Sequence, residues 1–193
     1  MAETSGQVRD EELSAEAEAR RRVALAQIRQ YPDPALRLRA GEIETFDDDL
    51  LRLVERMAAL MREANGVGLA ANQVGVLRRV FVFQRAEREV AAVVNPVLAV
   101  RSEELETVEE GCLSLQGVRV PVERHLEVTL EGVDERGEPV RLELAEAQAR
   151  IAQHELDHLD GVLILDRTTR EDRSEALGVL RADPVLPPLS IQG

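Results

Sequence analysis

The sequence predicts an α+β fold in which antiparallel β-sheets pack around a central buried helix. Three observations predict it. Residues 126–144 alternate apolar and polar side chains on both sides of a turn at Asp134–Gly137, the pattern of a hairpin. Residues 45–66 keep Leu50, Leu53, Val54, Met57, Leu60 and Met61 on one helical stripe. In "AEAQARIAQHELDHLDG", Ala147, Ile151, His154 and His158 are spaced at 4, 3 and 4 residues and share one face. The two histidines continue an apolar stripe, so this helix turns them inward.

The elements follow in chain order. Residues 1–28 form an acidic, Ala-rich extension, expected to be partly helical or flexible, with an exposed helix over 11–29. "YPDPALR" (Tyr31–Arg37) stops any helix, because its prolines fix φ and restrict the residues before them. The compact domain is therefore expected over 29–182. Thr45 or Asp47 can cap the next helix, with acids at 47–49 at its positive end and Asn65–Gly66 closing it. "RRVFVF" (Arg78–Phe83) and "EVAAVVNP" (Glu89–Pro96) read as strands, ahead of the hairpin with arms 126–132 and 140–144. The histidine helix is expected to end at Gly161, and Thr169–Arg181 forms a short amphipathic helix. Three prolines mark residues 183–193 as an irregular tail.

Composition narrows the function. With no Trp, one Tyr and three Phe, the core must be built from Leu, Val, Ala and Ile. A net charge of −13 argues against a general nucleic-acid surface, so no DNA partner is expected. Every basic residue is arginine, a coding bias rather than a functional signal. One cysteine, Cys112, forbids an intramolecular disulfide and suits a reducing cytoplasm. No secretory h-region or membrane-length apolar run is present, so no membrane partner is expected.

The chemistry starts at His154-Glu155-Leu156-Asp157-His158. Imidazoles at i and i+4 can bind one ion, and the adjacent glutamate can act on a water beside it. A catalytic site usually adds a third protein ligand. A zincin-like metallopeptidase, the alternative reading, would take it from downstream, where Asp160, Asp166, Glu171 and Glu175 are candidates but none has a distinctive setting. Cys112 in "VEEGCLSL" offers a thiolate, a good ligand for Zn²⁺ or Fe²⁺. A lone cysteine is otherwise a small buried hydrophobe.

Three stretches, "GVGLAANQ" (Gly66–Gln73), "EGCLS" (Glu110–Ser114) and "HELDHLDG" (His154–Gly161), resemble the peptide deformylase family in type, order and separation. The resemblance covers roughly residues 29–170. It implies that Cys112, His154 and His158 bind the metal, that Glu155 is the catalytic acid/base, and that Gln73 and the Leu113 backbone N–H serve the oxyanion. It implies removal of the N-formyl group from N-formylmethionyl nascent peptides, giving formate. It also implies Fe²⁺ as the native metal, with Zn²⁺, Ni²⁺ or Co²⁺ able to substitute. Arg119 and Arg124 fall where the family often has arginines near the site. "CLSLQG" departs from the family at Gln116–Gly117, where many members have a proline.

Further expectations concern the substrate. Gly66 and Gly68 let the main chain approach a ligand closely, and an extended peptide would add as a strand alongside Val67 and Gly111. Val67, Val108, Ala147 and Ile151 are candidates for the methionine slot. Asp157 is either a solvated charge or a partner of Arg124, and His125 is a surface or strand histidine. A transient ribosome contact through the C-terminal helix stays open, because residues 166–181 form no basic patch.

Overall fold

The computed structural model describes residues 4–5, 8–9, 14–85 and 89–182. The expected tail at 183–193 lies outside them. Two-residue strands β1 (Thr4–Ser5) and β2 (Val8–Arg9) pair near the N-terminus. They precede α1 (Ala15–Leu25), whose Ser14 cap accepts a hydrogen bond from the Ala17 N–H. Helix α2 (Asp48–Glu63) is capped by Asp47, which accepts from the Leu50 N–H at 3.0 Å. Its end is a Schellman turn: Asn65 adopts φ 57, Gly66 N–H reaches Met61 O at 2.8 Å, and Asn65 N–H reaches Arg62 O at 3.1 Å.

Strands β3 (Gly68–Ala70), β4 (Val80–Gln84), β5 (Val90–Arg101), β8 (Glu127–Val133) and β9 (Pro139–Ala145) form one antiparallel five-stranded sheet in the order β3-β4-β5-β8-β9. A separate antiparallel hairpin joins β6 (Leu105–Cys112) to β7 (Leu115–His125). The fold is thus a mixture of helices and antiparallel sheets. The alternation of β4 explains its continuous apolar run. Val80 and Val82 pack with α1 and α2, whereas Phe81 and Phe83 pack on the opposite face with Ile151 and Leu159. The sheet is therefore covered on both faces.

Helix α3 (Glu146–Leu159) lies between this sheet and the β6–β7 hairpin and is buried from Ala149 to Glu155. Gly161 follows at φ 74, and a Cβ there would come within 2.5 Å of Arg37 O, so the turn at Pro34–Arg37 packs directly on it. Helix α4 (Arg170–Ala182) covers β7 through Ala176. No helix among the described residues is long and apolar enough to cross a membrane.

Three boundaries differ from expectation. Strand β5 runs past Pro96 to Arg101, because register shifts at Val94/Val97 and Leu98/Val100 accommodate a residue that cannot donate to the ladder. Strands β6 and β7 were not evident from the sequence. Most of β6 is exposed and carries acidic residues on both faces, so no alternation marks it. Ala24 and Ile28 are buried in the α2 core, so the end of the N-terminal extension is packed onto the body.

Candidate metal centre

Strand β6 ends at a register break between Gly111 and Cys112, which turns Cys112 out of the ladder toward α3. His154 and His158 stand one turn apart on α3, their rings 5.0 Å apart. The ligand atoms of these three buried residues lie within 4.8 Å of one another, and Cys112 Sγ is 3.3 Å from His158 Nε2. It is the single such group among the described residues.

The surroundings suit a cation. His154 Nδ1 is 2.8 Å from Glu110 Oε2, so the carboxylate holds the ring N–H and leaves Nε2 as a lone pair. That Nε2 is buried without a hydrogen-bond partner, a costly state for a nitrogen with no ligand. Burial first, and the Arg124 guanidinium with it, holds His158 well below the usual histidine range, so it is a neutral donor. Burial also pushes the Cys112 thiol up, and the Glu155 and Glu110 charges add to this. An ion binding here must displace that proton. Two imidazoles and one thiol suit zinc or ferrous iron.

Glu110 is the hub behind the histidines. It takes Arg124 through both oxygens at 3.0 Å and Arg150 Nη1 at 3.0 Å. Burial alone would raise its pKa. The His154 hydrogen bond and the Arg124 charge outweigh that and hold it well below the carboxylate range. Arg124 continues to Asp157 Oδ2 at 2.5 Å, and Arg167 grips both Asp157 oxygens at 2.5 and 3.0 Å. Asp157 is therefore Arg124's partner, not a solvated charge.

Glu155 is fully buried, and its carboxylate lies against the Gly68 backbone. A Cβ at Gly68 would sit 2.1 Å from Glu155 Oε1. Gly68 makes room for this side chain, a more specific role than general ligand approach. Gln73, in a 3₁₀ turn at Ala71–Val74, accepts from the Ala70 N–H at 2.9 Å through Oε1. This fixes its amide so that Nε2 donates to Ser114 Oγ at 3.0 Å and faces Cys112 Sγ at 3.9 Å. Asn72 Nδ2 donates to His158 O, tying the same turn to α3.

The segment before Pro32 joins the two loops. Arg29 N–H donates to Gln73 O at 2.7 Å and Tyr31 N–H to Ser114 O at 2.9 Å. Gln30 Nε2 donates to Leu113 O at 3.0 Å.

The profile of a family described as Polypeptide deformylase matches residues 25–174. This chain belongs to the polypeptide deformylase family. Peptide deformylase 1 of Corynebacterium glutamicum is 45% identical over 163 residues, covering 83% of this chain and 96% of that protein. The Thermotoga maritima peptide deformylase structure aligns at TM-score 0.71 and 44% identity, covering 74% of this chain and 96% of that one. The Synechococcus elongatus enzyme in complex with actinonin aligns at TM-score 0.77 and 36% identity, covering 82% and 88% respectively. The chain is accordingly a metal-dependent deformylase.

Other expected deformylase residues are more spread out. Gly66 is the last residue of the α2 cap, and Val67 and Ile151 share one buried cluster. Gly111 precedes Cys112 and pairs with the exposed Arg119. Val108 is half-buried further back along β6. Ala147 corrects an expectation: it is exposed, as are Ala145 and Glu146 before it, and α3 becomes buried only from Ala149. His125 ends β7 with Nδ1 2.7 Å from Ser102 O, a strand histidine. Glu110, Arg150, Arg167 and Asn72 were missed. Arg150 carries a local signal, lying four residues before His154 on the same helix face. Glu110 and Arg167 become neighbours of the site through strand register and a turn.

Proposed function

We propose that this deformylase removes the formyl group from the N-terminal formyl-methionine of newly synthesised polypeptides, releasing formate and a free amine. The convergence of Cys112, His154 and His158 beside a Glu155 carboxylate and a Gln73 amide carries this reading. Cys112, His154 and His158 would hold one divalent cation, with Fe²⁺ the native ion and Zn²⁺, Ni²⁺ or Co²⁺ able to replace it. When bound, such a cation acts as a Lewis acid toward the formyl group and makes water a better nucleophile at neutral pH.

The chain's own residues do the rest. Glu155 takes a proton as water attacks the formyl carbon. It then returns a proton to the nitrogen as the carbon–nitrogen bond breaks, because an amide anion leaves poorly. Gln73 Nε2–H and the Leu113 main-chain N–H donate to the oxyanion as it forms; one such donor is typically worth about 2.7–4 kcal/mol of barrier. Leu113 is held by its carbonyl, which accepts from Gln30 at 3.0 Å and Gln116 at 2.6 Å. The peptide lies as a strand alongside Val67 and Gly111, its methionine toward Val67, Val108 and Ile151 with Ala147 at the mouth. Arg119 flanks this path. Residues 29–182 form the catalytic domain, built around α3, and the enzyme works in the cytoplasm on nascent chains.

Nothing favours the zincin alternative. Asp160 is 2.7 Å from Arg79, and Asp166 is paired with Arg37 and Arg173. The test is formate release from formyl-Met-Ala-Ser, measured anaerobically with Fe²⁺ for wild type and Glu155→Ala. Release by the wild type and its loss in the variant, with metal retained, is expected. A metal-loaded wild type that yields no formate overturns the reading.

A further inference from the structure

A cleft of about 160 Å³ opens beside Cys112, bordered by Gly111, Gln116, Arg119 and, from α1, Arg21. Arg21 stands on α1, ahead of the family match at residues 25–174. Its position has a clear cause. Nε donates to Ala64 O at 3.1 Å, and Ala64 is the C-cap of α2, where the helix's negative end draws a guanidinium.

The anchoring leaves most of the fork unused. A guanidinium has five N–H donors. Besides Nε, Arg21 makes one other bond, from Nη2 to Gln116 Oε1 at 3.5 Å, a long contact to a neutral oxygen. Arg21 has no carboxylate partner among the described residues, and no described carboxylate lines the cleft. In a chain of net charge −13, a half-buried arginine with no counter-ion among the described residues is an exception to the prevailing field.

We propose that Arg21 is a specificity-determining residue that recognises a carboxylate side chain on the substrate peptide, downstream of the formyl-methionine. This rests on the deformylase reading above, with the peptide running past Val67 and Gly111. Gly111, along which the peptide runs, borders the same cleft as Arg21, so the fork stands beside the peptide's path. The carboxylate belongs to an Asp or Glu at the first or second residue after the methionine. The planar fork can offer it two parallel N–H bonds once the weak Gln116 contact is released.

The test compares kcat/KM for C-terminally amidated formyl-Met-Ala-Glu, formyl-Met-Ala-Gln and formyl-Met-Ala-Lys, so that the third side chain supplies the only varied charge. The same series is run one residue earlier, with Glu, Gln or Lys directly after the methionine. The wild type is expected to favour Glu over Gln about five-fold in one series, mainly through KM and less at high salt. Arg21→Gln brings the Glu:Gln ratio to about one, and Arg21→Glu turns the preference toward Lys. A wild type with equal rates on Glu and Gln in both series, or a preference that survives in Arg21→Gln, overturns the proposal. Each comparison is a ratio within one protein, so lost stability cannot mimic it. Failure of every peptide in the metal-loaded wild type would instead indict the deformylase reading.

Discussion

At the scale of single residues, Glu110 shows how much of the centre depends on groups that touch no substrate. It holds His154 Nδ1, and two arginines neutralise it in turn. Removing it leaves Arg124 and Arg150 as buried cations and frees the His154 ring. Glu110→Ala is expected to weaken metal binding about 10–100-fold, the usual effect of losing such a support; chelator competition on the purified variant measures it. Unchanged affinity would show that packing alone orients the ring. The histidines were legible because i and i+4 is a local geometry that any helix realises. Glu110 was not, because its role arises where the β6–β7 register sets it opposite Val120 and where α3 crosses the hairpin.

At the scale of elements, α2 was the most readable. Its stripe, its Asp47 cap and its Asn65–Gly66 stop all act within a few residues of themselves. Asp47→Ala should lower stability by about 1 kcal/mol and leave kcat/KM unchanged, since α2 reaches the site only through its far end. A shifted urea midpoint with an unaltered slope is the expected signature. Helix α3 was read as buried, and it is, but Ala147 escapes burial because a helical repeat does not say where a helix enters its core. The β6–β7 hairpin was the hardest to read. Most of β6 lacks one-sided burial, so the alternation of Val118, Val120 and Val122 in β7 has no visible partner strand in the sequence.

At the scale of the molecule, the chain closes on itself through ion pairs that join distant segments. Asp166 accepts from Arg37 and from the Leu163 N–H at 2.9 Å, and lies 3.6 Å from Arg173. Burial alone would raise its pKa from the ordinary 3.8; the Arg37 bond, the Leu163 amide and the two arginine charges lower it instead. A depressed carboxylate contributes stability that is present above its unfolded pKa and lost as pH falls through its folded pKa. The stability gap between wild type and Asp166→Asn should therefore be largest near about pH 6 and shrink toward about pH 3. Denaturant titrations at several pH values check this, and a gap independent of pH would exclude the linkage. The antiparallel arrangement and the histidine helix were expected from patterning. The division of β4 between two cores was not, because an all-apolar strand conceals which face meets which partner.

The short crossing at residues 29–31 has a consequence for how this sequence can drift. Its ties to Gln73 O and Ser114 O are made by main-chain N–H groups, which every residue except proline carries. The two main-chain ties therefore survive substitution at 29 or 31, while the Gln30 amide and the Tyr31 ring, packed on the cluster that holds Cys112, add the side-chain dependence. The join between the glutamine loop and the cysteine loop thus comes mainly with the path of the backbone, whatever side chain stands at position 29.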